Sequence, residues 1–71
     1  MKATILNKEV NGDFVKGSAV IAGQKFDFEI IYLGGEVHNL TVSQNGIKKS
    51  TVVGLPNFEK VKTRFKEFGL I

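Results

Sequence analysis

Along most of the chain apolar and polar residues alternate one by one, as in Phe26-Asp27-Phe28-Glu29-Ile30. Side chains of a strand point to opposite faces in turn, so this pattern predicts strands that bury one face. Turn signals interrupt it at nearly even spacing: Asn11-Gly12, Gly23-Gln24, Gly34-Gly35, Asn45-Gly46, then Gly54-Leu55-Pro56. Such spacing predicts an antiparallel meander. Five strands are expected, at about 2–10, 13–22, 25–33, 37–44 and 47–53. Beyond Pro56 the period lengthens. Phe58, Val61, Phe65 and Phe68 fall at i, i+3, i+7 and i+10, the single stripe of an amphipathic helix. Asn57 is the expected N-cap, and Gly69 with Leu70 the expected Schellman ending. The expected fold is therefore α+β, a five-stranded antiparallel β-meander with one C-terminal helix packed on one face.

Turn chemistry suggests registers. Gly23-Gln24 fits a two-residue type II′ turn, which takes Gly first. It pairs Ile21 with Phe26, Ala19 with Phe28, Gly17 with Ile30 and Val15 with Tyr32, all on one face. The small Gly17 and Ala19 leave room for an element crossing that face. A three-residue loop, Leu33-Gly34-Gly35, sets Leu40 against Phe28 and Val42 against Phe26. A two-residue Gly34-Gly35 turn would instead bring polar Asn39 and Thr41 to the core face. Asn45-Gly46 fits a type I′ turn. In the first strand Ile5 and Leu6 point to opposite faces, and either can be the buried one.

Seventy-one residues predict a single domain spanning 1–71, one that buries only about 60% of its unfolded surface. No run approaches the roughly 18 apolar residues of a membrane span, and the N-terminal segment does not read as a signal peptide. Cysteine is absent, which removes disulfides and thiolate metal sites and suits a reducing, cytoplasmic location.

Candidate chemistry is sparse. His38 is the sole histidine and has no recognisable nucleophile or partner near it in sequence. Asp27 and Glu29 share the outer face, with Lys16 and Lys25 as expected neighbours. The glycines form neither a dinucleotide fingerprint nor a P-loop. No catalytic residue, cofactor, metal site or small-molecule substrate is expected.

Charge is more informative. Residues 1–47 sum to −1, whereas residues 48–71 sum to +4 within a net charge of +3. Lys48, Lys49, Lys60, Lys62, Arg64 and Lys66 supply that excess. They form a candidate nucleic-acid-binding set that tracks phosphates without reading bases. An acidic protein surface is the other natural partner, and a solubilising helix face is the plain alternative. A second candidate surface is apolar. The registers above set Phe14 against Leu33 and Ile31 beside Val37 on the outer face, with Val20 further along. This is a candidate protein interface or homodimer seam, unless the first strand or a curled sheet covers it.

The last 45 or so residues, with a basic last strand running into Gly54-Leu55-Pro56-Asn57-Phe58-Glu59, resemble the dimeric single-strand-DNA-binding domain of positive-cofactor-type transcriptional coactivators. The likeness is one of element order and charge, and it implies binding to single strands. The small size also resembles accessory and inhibitor proteins of phages and mobile elements. The expected function is a non-enzymatic binding module for nucleic acid. The alternative is a protein-binding or inhibitor module.

Overall fold

Five strands and one helix follow one another as the periodicity predicts. The computed structural model describes residues 2–71. The elements are β1 (Thr4–Asn11), β2 (Phe14–Ile21), β3 (Gln24–Leu33), β4 (Glu36–Gln44), β5 (Ile47–Val52) and α1 (Phe58–Glu67). The strands form one antiparallel sheet in the order β1-β2-β3-β4-β5, so each strand pairs only with its sequence neighbours.

Two expected registers are displaced by two residues. The turn between β2 and β3 is Ala22-Gly23, with φ of 51° and 78°, rather than Gly23-Gln24. Two positive φ angles in a two-residue loop define a type I′ turn. Ala19 therefore faces Phe26, Gly17 faces Phe28 and Val15 faces Ile30. The turn between β3 and β4 is the two-residue Gly34-Gly35 pair, with φ of 60° and 82°. The polar residues nonetheless stay off the core, because β4 carries a bulge. Ile31 faces Asn39 while Tyr32 faces Val37, leaving His38 as the extra residue. That one residue reverses the facing of everything after it, so Leu40 and Val42 point inward opposite Ile30 and Phe28. The expected register, with Leu40 against Phe28, would set His38 against Ile30; the bulge instead leaves His38 without a partner on β3. The Asn45-Gly46 turn has the expected type I′ angles, 53° and 78°.

Gly17 is occupied differently from the expectation. A Cβ there would lie 2.3 Å from the Asn7 carbonyl oxygen and 2.9 Å from Phe28 Cζ. Its space admits the β1 backbone and the Phe28 ring, not a crossing element. β1 has a bulge at Leu6, between Ile5 opposite Ala19 and Asn7 opposite Ser18, and all its residues are exposed. Neither Ile5 nor Leu6 is thus a buried position. The bulge and the inward-side Lys8 blunt this free edge, as Lys48 and Lys49 blunt that of β5.

The core lies between the sheet and α1. It joins Val15, Ala19, Phe28, Ile30 and Leu40 to Phe58, Phe65 and Leu70. Burying each Phe contributes roughly 1.5–3 kcal/mol. α1 ends as predicted. Gly69, at φ 81°, donates to the Lys66 carbonyl at 3.1 Å, and Leu70 donates to Phe65 at 2.9 Å. Both bonds belong to the Schellman motif, and the Leu70–Phe65 apolar contact completes it. The start of α1 differs from the expectation. Asn57 occupies the N-cap position, but its side chain makes no capping bond. Its Oδ1 instead accepts a 2.7 Å hydrogen bond from Thr51 Oγ1 on β5. No helix among the described residues is long and apolar enough to cross a membrane.

Candidate functional site

Strand alternation and helical periodicity divide the six cations. Lys48 pairs with Ser43 on the outer face, whereas Lys49 pairs with Val42 on the face that carries α1. On α1, Lys60 and Arg64 follow one flank and Lys62 and Lys66 the other, each pair four residues apart. Glu59, Thr63 and Glu67 occupy the outward ridge between the two flanks. The set is therefore not one continuous surface. The ion pair among the described residues is Lys16–Glu9, at 3.6 Å on the outer face, so none of the six has a carboxylate partner there.

Two of the six share one groove, and a third lines a hollow beside it. A groove of about 610 Å³ follows the Lys60–Arg64 flank of α1. Its floor is Ile21, Phe26, Val42, Val61, Phe65 and Phe68, and its rim is Lys60, Arg64, Gln24 and Gln44. A smaller hollow of about 220 Å³ shares Val42, Asn57 and Val61 with it and reaches Lys49 on β5. Neither lining contains an Asp or Glu. The electrostatic character of the groove is therefore cationic over an apolar bed. Lys62 lies across the helix in a separate depression with Glu36, Glu59, Tyr32 and Val37.

The expected outer patch is smaller than its sequence suggests. Phe14 pairs directly with Ile31, not with Leu33. Leu33 lies beyond, opposite Glu36 and 65% exposed. Val37 is not on this face. The bulge at His38 leaves it opposite Tyr32, on the helix side, packed against the core. Val20 sits at the far end opposite Lys25. Polar rows separate it from Phe14. One is Glu9, Lys16, Glu29, Thr41 and Ser50; the next is Asn7, Ser18, Asp27, Ser43 and Lys48. Within them Asp27 accepts a 2.6 Å bond from Ser18 Oγ, and Thr41 bonds Ser50 at 2.9 Å.

His38 Nδ1 meets the Asn39 side-chain oxygen beside the bulge. Among the described residues no three His, Cys, Asp or Glu converge on a common point. Of the seven aromatic side chains Phe28, Phe58 and Phe65 are buried, and Phe14 and Tyr32 are half-buried away from the groove. Phe26 and Phe68, at the groove, are half-buried.

The groove follows from how α1 lies on the sheet. Asn57 at its start is bonded to Thr51 on β5, and the Phe68 carbonyl at its end accepts a 2.9 Å bond from the Ala3 amide just ahead of β1, so α1 runs across the strands. A strand of ten residues such as β3 is roughly 33 Å long, while one helix covers roughly 10–12 Å of that length. The strand ends beyond the Lys60–Arg64 flank are therefore left without a second helix. Comparison with protein-family models, curated proteins and solved structures finds no match to this chain.

Proposed function

We propose that this protein is a non-enzymatic binding module that takes an acidic segment of another protein along the helix–sheet groove. The supporting observation is the lining itself. Lys60 and Arg64 rim an apolar floor, Lys49 lines the adjoining hollow, and neither lining contains a carboxylate. Phosphates alone would leave Phe26, Val42, Val61 and Phe68 in water, whereas an acidic and apolar segment covers the floor and meets the rim. A pull-down from nuclease-treated lysate tests this. Protein partners are expected to persist after nuclease, to be lost with Lys60→Glu/Arg64→Glu and to be kept with Lys62→Glu/Lys66→Glu. Recovery of nucleic acid alone would overturn it.

The second reading is phosphate-backbone binding through Lys48, Lys49, Lys60, Lys62, Arg64 and Lys66. It is favoured by the lack of carboxylate partners for these side chains among the described residues. That mode requires affinity to fall steeply with salt and all six positions to matter alike.

A further inference from the structure

We propose, resting on the acidic-partner reading above, that the segment seated in the groove is an amphipathic helix lying alongside α1 and completing a two-helix layer on the sheet. Geometry sets the shape of the occupant. The groove wall on α1 is made by Asn57, Lys60, Val61, Arg64 and Phe68, a row that runs the length of the helix. Ten residues of helix measure about 15 Å. The far boundary is the end of the β2–β3 hairpin at Gln24 and the end of β4 at Gln44. From Phe28, buried in the core, to Gln24 is four residues of strand, roughly 13 Å, which matches the width of one more helix.

Chemistry sets the rest. The floor supplies half-buried Phe26, Val42, Val61 and Phe68, which match a stripe of large apolar side chains at i, i+3/i+4 and i+7. The rim cations Lys60 and Arg64, with Lys49 in the adjoining hollow, match Asp or Glu flanking that stripe. A second copy of this chain fits poorly, because its own helix brings Lys60, Lys62, Arg64 and Lys66 toward the same cations. Apolar contact supplies affinity and the three cations fix orientation and sign.

The test uses fluorescent peptides of about a dozen residues. One carries Leu at i, i+3, i+7 and i+10 with Glu elsewhere. A second has the same composition scrambled to break the stripe, and an oligothymidylate of similar charge is the third probe. The striped peptide is expected to bind, to gain helicity on binding and to shift the amide resonances of Val61, Gln44 and Ile21. Lys60→Glu/Arg64→Glu is expected to weaken it by roughly tenfold or more. That variant is expected to accept a Lys-for-Glu peptide instead. Lys62→Glu/Lys66→Glu, on the other flank, is expected to bind as wild type does. Equal affinity for the scrambled peptide would overturn the helix while leaving an acidic partner. Binding of the oligonucleotide with neither peptide bound would overturn both.

Discussion

Thr51 and Asn57 tie the last strand to the start of the helix through one side-chain hydrogen bond, Oγ1 to Oδ1 at 2.7 Å. Thr51 is only 4% exposed, so water does not easily replace the partner. Thr51→Val and Asn57→Ala are each expected to cost about 1–2 kcal/mol. Their double-mutant coupling is expected near 1 kcal/mol, as read by urea denaturation. Asn57→Asp keeps the acceptor and adds charge at the helix N-terminus, so it should retain wild-type stability. A stable Asn57→Ala protein would show the bond to be idle.

Gly17 is the position least able to accept a side chain. Gly17→Ala forces a methyl against the Asn7 carbonyl, and overpacking of this kind typically costs 1–3 kcal/mol, roughly. Trimming the ring with Phe28→Leu in the same chain should not rescue it, because the carbonyl clash stays. Rescue would place the conflict at the ring instead of the backbone.

Ala22 holds a left-handed backbone at φ 51°, a conformation that costs an ordinary L-residue about 1–2 kcal/mol. Asn at the first position of a type I′ turn tolerates it better. Ala22→Asn is expected to raise stability by about 0.5–1 kcal/mol, visible as a higher melting temperature. A lower one would contradict the turn type.

The bulge at His38 makes an unusual forecast. Deleting His38 restores regular alternation, with Val37 inward, Asn39 outward and Leu40 inward. The lost backbone contact is the 3.0 Å bond from the Val53 amide to the His38 carbonyl. The deletion is expected to fold cooperatively, weakened by about 1 kcal/mol. Deleting Thr41 turns Val42 away from the core and is expected to abolish cooperative unfolding. Circular dichroism on both proteins distinguishes them.

Ile31 and Phe14 form a small apolar spot on the outer face, where Ile31 is 40% exposed. Ile31→Glu is expected to leave sedimentation unchanged across the micromolar range. Dissociation of a wild-type dimer by this change would give the outer face a partner of its own.

The elements were legible in the sequence because each carries its own period and its own stop signal. Two registers were not, for a specific reason. Side-chain facing repeats every two residues, so a slip of two leaves the same apolar residues inward. Only turn chemistry separates such alternatives, and Ala22 is an atypical first residue for a type I′ turn. The bulge at His38 has no sequence signature at all, which is why Val37 was assigned to the wrong face. The division of the cations was legible in principle. Adjacent residues on a strand face opposite ways, which parts Lys48 from Lys49. The helical repeat likewise parts Lys62 and Lys66 from Lys60 and Arg64. Net charge along the chain carries no information on which face each cation takes.

From β2 onward every strand pairs with the one before it, so the sheet forms from local hairpins, and the long-range closure is left to α1, which bonds the Phe68 carbonyl to the Ala3 amide. Hairpins can zip up in sequence order, and α1 then closes over the finished sheet. Chains with such local connectivity reach the native state quickly, and refolding within about milliseconds is the natural timescale. A domain emerging from the ribosome in this way leaves its Phe-rich face open only until the final helix arrives.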